Sequence, residues 1–267
     1  MQFKQHFINL KKTRPLIHCI TNYVTANDCA NILLAAGASP IMADEPEETA
    51  EITSISQGLC INLGTLNSNS IRTMSISGRK ANELGIPVIL DPTGAGASEL
   101  RTRTARQLTE TVRFTAIRGN VSEIKALCTG TGSTKGVDAD SADIISPALI
   151  KDLAKKTGAV ITVSGATDII TDADRTMLIR NGHPLMGKIT GTGCMSSVLI
   201  AAFLSSKTES PFDAVCAAVI AMGLAGEKAA SMMKEQDGNA SFRTHLIDAV
   251  YNMMPEELDK GARYELN

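Results

Sequence analysis

PVILDPTGAGAS, Pro87 to Ser98, is the stretch on which the fold turns. Val88, Ile89 and Leu90 run without polar alternation, so the strand they form has both faces covered. Such a strand belongs to a parallel sheet with helices on either side. It ends on Asp91, and Gly94 and Gly96 follow in a loop before the next helical pattern. The same order repeats outward in both directions. Upstream, PLIHCI (Pro15–Ile20), ASPIM (Ala38–Met42) and GLCINLG (Gly58–Gly64) read as strands. Helical patterns over Thr25–Ala36, Glu45–Ile55 and Ser70–Leu84 lie between them, with Asp44 positioned as an N-cap and Gly37 and Gly85 as C-caps. Downstream, Ala97–Val112 reads as a helix, FTAIRGN (Phe114–Asn120) as a strand and Val121–Cys128 as a helix start. Ile144–Lys156 is helical, AVITVSG (Ala159–Gly165) is a strand, and DIITDADRTMLIRNG (Asp168–Gly182) is a hairpin turning at Asp172–Asp174. TGTGSTKGVDADSAD (Thr129–Asp143) reads as a surface excursion, because the alternation resumes after it. Beyond Gly193 the chain is mostly helical, over Cys194–Ser205, Pro211–Lys234 and Phe242–Met253. The expectation is one α/β domain over residues 1–267, with a central mostly parallel sheet flanked by helices on both faces.

Composition excludes several partners. The chain has 267 residues, 43% of them hydrophobic, enough to build a core. Lys+Arg 26 against Asp+Glu 28 leaves a net charge of −2, so no strong field recruits nucleic acid or an anionic membrane. Aromatics are 3% with no Trp, which argues against stacking platforms. The six cysteines show no Cys-x-x-Cys spacing and no nearby His that completes a zinc pattern. The first residues lack the apolar run of a signal peptide, so a reducing cytoplasm is expected, with most thiols as small core residues. Val215–Gly226, the longest nearly apolar stretch, reads as too short to span a bilayer.

In an open α/β sheet, ligands bind beyond the carboxyl ends of the strands. Four such places carry more Gly and polar residues than a turn needs. GTGC (Gly191–Cys194) opens a helix, where glycines admit a ligand close to the backbone and unpaired N–H groups form an anion hole. Cys194 falls in its first turn, where the dipole favours a thiolate; a plain Gly-rich turn with a buried Cys194 explains the motif equally. RGNVSE (Arg118–Glu123) places a cation at a strand end that could hold phosphate, whereas Asn120 and Glu123 also fit an ordinary helix cap. Asp91 faces the expected cleft and could take Mg2+ directly or through water, or only begin a turn. HCITNYVTAN (His18–Asn27) offers Asn22 as a cap or a ligand contact. His18 reads as a satisfied interior histidine and Met42 as core. Ile32 and Leu33 fit an interface or the core.

These segments, in this order, resemble the hydroxyethylthiazole kinases of the ribokinase-like group. The resemblance rests on HCITNYVTAN, GASPIM, NLGTL, VILDPTGAGAS, AIRGNVSEI and ITGTGC, and covers nearly the whole chain. It implies ATP-dependent phosphorylation of the primary hydroxyl of 4-methyl-5-(2-hydroxyethyl)thiazole, with Mg2+, in thiamine salvage. It also implies a homotrimer with sites near subunit contacts. Carried over by position, Arg118 and Ser164 match ATP contacts, and Asn22, Met42 and Gly191 match thiazole contacts. Asp91 and Glu123 match the magnesium and phosphate region. Cys194 stands where most sugar kinases of the group carry Asp as a base, and the backbone of Gly191 and Gly193 would then stabilise the transferring phosphoryl group. The alternatives are a kinase of this fold acting on hydroxymethylpyrimidine or pyridoxal, a nucleotide-dependent hydrate dehydratase, and a cysteine-nucleophile enzyme.

Overall fold

In the computed structural model, which describes residues 2–129 and 145–267, the chain enters through helix α1 (Phe3–Thr13) and lays down β1 (Leu16–Ile20), α2 (Ala26–Ala36) and β2 (Ser39–Met42). It continues through α3 (Thr49–Ile55), β3 (Gly58–Asn62), α4 (Ser68–Leu84), β4 (Val88–Asp91), α5 (Glu99–Thr111), β5 (Ala116–Asn120) and α6 (Val121–Thr129). After residue 144 come α7 (Pro147–Thr157), β6 (Val160–Ser164), β7 (Asp168–Thr171) and β8 (Thr176–Ile179). A 3-10 turn at Pro184–Lys188 leads to α8 (Thr192–Leu204), α9 (Pro211–Met232), α10 (Asn239–Tyr251), α11 (Pro255–Gly261) and β9 (Tyr264–Leu266). The strands form one nine-stranded sheet in the order β2-β1-β3-β4-β5-β6-β7-β8-β9. Pairings from β2 through β6 are parallel, and those from β6 to β9 antiparallel.

The apolar strands bury both faces, as their lack of alternation requires. Cys60 and Ile89 turn to one core with α1, α2, α8, α9 and α10. Leu59, Ile61, Val88 and Leu90 turn to the other, with α4, α5, α6 and α7. Ile32 and Leu33 belong to the first core. The carboxyl ends of the parallel strands therefore share one rim of the sheet, and the start of α8 faces it.

Several boundaries differ from expectation. α3 begins at Thr49, not Glu45, because Glu45 precedes Pro46 and the residue before proline is turned away from helical geometry. Asp44 caps no helix; its backbone carbonyl accepts the Thr73 hydroxyl at 2.7 Å. α4 starts at Ser68, where Asn67 and Ser70 cap each other reciprocally. α5 starts at Glu99 behind the Ser98 cap. The stretch Val215–Gly226 lies inside a helix of 22 residues, long and apolar enough by composition to cross a bilayer. That helix is the centre of the first core and packs on α8 and α10. Met42 is not core: it sits on the edge strand β2 and is 39% exposed. The Thr129–Asp143 excursion lies outside the described residues beyond Thr129, and α7 begins at Pro147 rather than Ile144.

α1, α11 and β9 have no counterpart in the sequence reading. α1 carries a signal: Phe3, Phe7 and Leu10 recur at helical spacing and are its buried face. Phe7 stacks on Phe203 of α8 with ring centroids 5.9 Å apart. Phe7→Ala is expected to cost about 3–5 kcal/mol, as large-to-small changes of buried aromatics do. It should lower the urea midpoint of unfolding while leaving activity of the folded fraction intact. A loss below about 1 kcal/mol would place α1 outside the cooperative core.

Candidate active site

The start of α8 organises the rim. Gly191 has φ of +88°, a left-handed conformation open to glycine, and a Cβ there would run into Thr25. A Cβ at Gly193 would collide with the Arg118 guanidinium, so the missing side chain is what lets the cation lie against the helix start. Arg118 reaches this position from β5. Its Nη2 donates to Ser164 Oγ at 2.8 Å, and the serine hydroxyl lies 3.3 Å from the Gly119 carbonyl. The buried Arg118 Nε has no hydrogen-bond partner among the described residues.

Of two nearby chambers, one borders this helix start and the other is reached from it through Asn62. The larger, about 520 Å3, is lined by Arg118, Ser164, Asp168, Thr192 and Gly193, with Met186, Val219 and Met222 among its apolar walls. The smaller, about 140 Å3, is lined by Tyr23, Met42, Asn62 and Met74 among others. Cys194 links them, following Gly193 of the larger and bonding Asn62 of the smaller. Its sulfur receives the side-chain amides of Asn22 at 3.4 Å and Asn62 at 3.3 Å. Asn22 also donates to Asn62 Oδ1 at 2.9 Å and accepts from the Thr25 backbone and hydroxyl. The cap-like bonds to Thr25 are present, and the same side chain reaches Asn62 and Cys194. Asn62 donates onward to Thr93 Oγ1 at 3.0 Å, and Thr93 to Asp91 Oδ1 at 2.6 Å. Ser197 donates to Asp91 Oδ2 at 2.7 Å. Asn22, Asn62, Cys194 and Asp91 thus form one buried polar chain.

Glu123 serves a different loop. Its Oε2 accepts the Asn120 N–H at 2.8 Å, and Asn120 Oδ1 accepts the Glu123 N–H at 2.9 Å, so the capping reading holds. Its Oε1 accepts the Gly94 N–H at 2.9 Å, which ties the loop after β4 to α6. Among the described residues no group of three or more His, Cys, Asp or Glu could hold a metal ion. Asp91 and Glu123 each have both oxygens already hydrogen-bonded, although a carboxylate oxygen can accept a second bond. This donor set fits a magnesium ion that keeps its waters and rests mainly on phosphates, the usual habit of that ion. It does not fit a cage of direct protein ligands.

Asn62 was missed by sequence reading, though the strand-end rule finds it: it ends β3 and is the register partner of Asp91. Arg101 was missed with less signal. Its guanidinium donates to the Thr93 and Gly64 carbonyls and so joins the loops after β3 and β4. His18 is interior as expected, with Nδ1 bonded to the Thr53 hydroxyl and Nε2 to the Ala43 carbonyl.

The family model described as the hydroxyethylthiazole kinase family matches residues 7–256. The chain belongs to that family. A hydroxyethylthiazole kinase of Clostridium acetobutylicum is 54% identical over 269 residues, covering 98% of each chain. The solved structure of a hydroxyethylthiazole kinase protein from Pyrococcus horikoshii OT3 is 35% identical with a TM-score of 0.89, covering 99% of this chain and 98% of that one. A ribokinase-like superfamily protein from Enterococcus faecalis has a TM-score of 0.62 at 15% identity, covering 96% of this chain and 88% of that one, and shares the fold alone. The ribokinase-like fold and the kinase assignment expected from the sequence both hold.

In this family setting the state of Cys194 matters most. A helix start favours a thiolate, and a buried Cys194 in a plain Gly-rich turn is the other reading of the motif. The buried reading holds: burial pushes the thiol pKa up, and the charge of Asp91 pushes it further. Hydrogen bonds from Thr25, Asn22 and Asn62 pull it back without reversing the sign. Cys194 is therefore a thiol at neutral pH. Iodoacetamide at pH 7.5 is expected to modify it more slowly than an unshifted thiol. Asp91→Asn should speed that modification by removing the opposing charge. Peptide mapping separates Cys194 from Cys128, the one cysteine with intermediate burial. An unchanged or slower rate in Asp91→Asn would mean that the carboxylate does not act on the sulfur.

Proposed function

We propose that this chain, acting as a single kinase domain, transfers the γ-phosphoryl group of ATP to the primary hydroxyl of 4-methyl-5-(2-hydroxyethyl)thiazole. The product would enter thiamine salvage. One observation carries this reading: the first turn of α8 links two chambers. Thr192 and Gly193 line the larger one, and the next residue, Cys194, is bonded to Asn62, which lines the smaller. A nucleotide on one side and a small alcohol on the other would meet at that turn. The membership of the chain in a kinase family supports the same assignment.

Phosphoryl transfer asks mainly for positioning and for neutralisation of the phosphate charge. The Gly191–Gly193 backbone and the α8 N-terminus supply fixed donors for the transferring group. Arg118, oriented by Ser164, supplies the cation beside them. Asn22, Met42 and the Gly191 backbone hold the thiazole, with Cys194 Sγ facing its hydroxyl. A thiol is a weak proton acceptor, which a loose transition state tolerates because the hydroxyl proton need not leave early. Mg2+ would neutralise charge on the β- and γ-phosphates. Asp91 and Glu123 would hold it through its waters.

Tyr23 and Val24, beside the smaller chamber, are 81% and 59% exposed, and the partly exposed Met42 lines it. These apolar side chains support a homotrimer with substrate sites near subunit contacts. A cytoplasmic location accords with free thiols and with an apolar helix committed to the core.

A coupled ADP-release assay tests the reading. The thiazole alcohol should stimulate ADP release only when Mg2+ is present; no stimulation by the alcohol would sink the assignment. Cys194→Asp should preserve or raise turnover, since a carboxylate accepts protons at pH 7. A loss as deep as that of Asp91→Ala would count against proton acceptance at this position. Arg118→Ala should raise the KM for ATP, and an unchanged ATP dependence would remove Arg118 from the nucleotide site.

A further inference from the structure

We infer that Asp168 binds the ribose hydroxyls of the nucleotide, making this enzyme select ribonucleoside over deoxyribonucleoside triphosphates. The inference rests on the phosphotransfer reading and names a specificity residue within its larger chamber. Asp168 opens β7 and lines the cavity that holds Arg118 and Ser164. Its Oδ1 accepts the N–H of Gly165 at 3.0 Å, the one hydrogen bond to the side chain among the described residues. No cation pairs with it within 4.0 Å among the described residues. Burial pushes its carboxyl up to about 6, while the Gly165 bond and the charge of Arg118 pull the other way. At neutral pH it is a carboxylate with acceptor capacity to spare.

A carboxylate in a nucleotide cavity repels phosphate, so its place along the cavity decides what it meets. Sheet order gives that place. Arg118 is on β5 and Asp168 on β7, with β6 between them. Two strand spacings, roughly 10 Å, separate their backbones, and the side chains meet β6 at adjacent residues, Arg118 at Ser164 and Asp168 at Gly165. Beyond β8 the chain forms the 3-10 turn that carries Met186, which with Val219 and Met222 of α9 makes an apolar wall. One cavity thus holds a cation, a carboxylate and an apolar wall. Phosphates belong at the cation and a base at the apolar wall. The ribose lies between, and its vicinal hydroxyls are hydrogen-bond donors that a carboxylate accepts. The same pairing of an acidic side chain with ribose hydroxyls recurs in dinucleotide sites on other α/β sheets.

The test is equilibrium binding of ATP, 2′-deoxy-ATP and 3′-deoxy-ATP by calorimetry, without the thiazole alcohol. The wild-type enzyme should bind ATP about tenfold more tightly than at least one deoxy analogue, as loss of a hydrogen bond to a charged group implies. Asp168→Ala should bring that ratio close to one, with the KM for the thiazole alcohol unchanged. Asp168→Asn keeps the size and the bond to Gly165, so it remains informative if the alanine variant folds poorly; its ratio should also fall. A ratio retained in both variants, or wild-type binding that does not distinguish ATP from either analogue, overturns the inference while leaving phosphotransfer standing. Failure of the wild-type enzyme to bind any of the three overturns both.

Discussion

The first turn of α8 can stand at the rim of the sheet only because two of its residues lack side chains. Thr25, just before α2, presses on Gly191, and Arg118 of β5 presses on Gly193. Both approaches come from elements fixed elsewhere. α2 is held by the ion pair of Asp28 with Arg243 of α10, and β5 lies between β4 and β6 in the sheet. The helix start is thus wedged between a cation on one side and a hydroxyl-bearing turn on the other. The larger chamber borders this helix start, and Cys194 links it to the smaller one through Asn62.

Much of this was legible in the sequence, for a physical reason. Strands buried on both faces leave no polar alternation, so PVILD and GLCIN announce a parallel sheet, and a parallel sheet announces where ligands bind. Arg118, Asp91 and Asn22 were found by reading strand ends. Asn62 ends β3 in the same way but is hidden, because GLCINLG reads as a strand running on to Gly64 and places Asn62 inside it. Asp168 starts a strand instead of ending one. It reaches the cavity because β7 runs antiparallel to β6, so that the start of this strand, not its end, lies at the rim. β9 offered no signal at all: Tyr264–Leu266 is exposed throughout and is held by backbone pairing with β8. The starts of α3 and α4 were misjudged at single residues, Pro46 and Asn67, where local backbone chemistry outweighs hydrophobic period.

The protonation of Cys194 shows how magnitudes choose between arguments that are each correct. A helix N-terminus favours an anion by about 0.3–1 kcal/mol, less than one pKa unit. Burial can move a pKa by up to about 3–5 units. Asp91 adds repulsion from within the same hydrogen-bonded chain. The two asparagine amides soften this but supply only neutral donors. The sulfur is therefore kept protonated by the surroundings that also place it at the helix start, and a motif reading that counts only the dipole gets the sign wrong.

The remaining question is how strand-end loops, normally the most mobile part of such a fold, keep the donors in position. Here they are tied to one another by side chains reaching backbone groups. Arg101 joins the Gly64 and Thr93 carbonyls, and Glu123 joins the N–H groups of Gly94 and Asn120. Asn62 Oδ1 accepts the Gly64 N–H and closes the loop after β3. None of these bonds consumes the N–H groups at the start of α8. The charges and dipoles that would meet a transferring phosphate are therefore set before a nucleotide arrives. Preorganisation of this kind is what makes a fixed dipole worth more in a protein than in water, because no reorganisation is required as charge develops. A site built this way can do without a strong base, since its work lies in placement and charge.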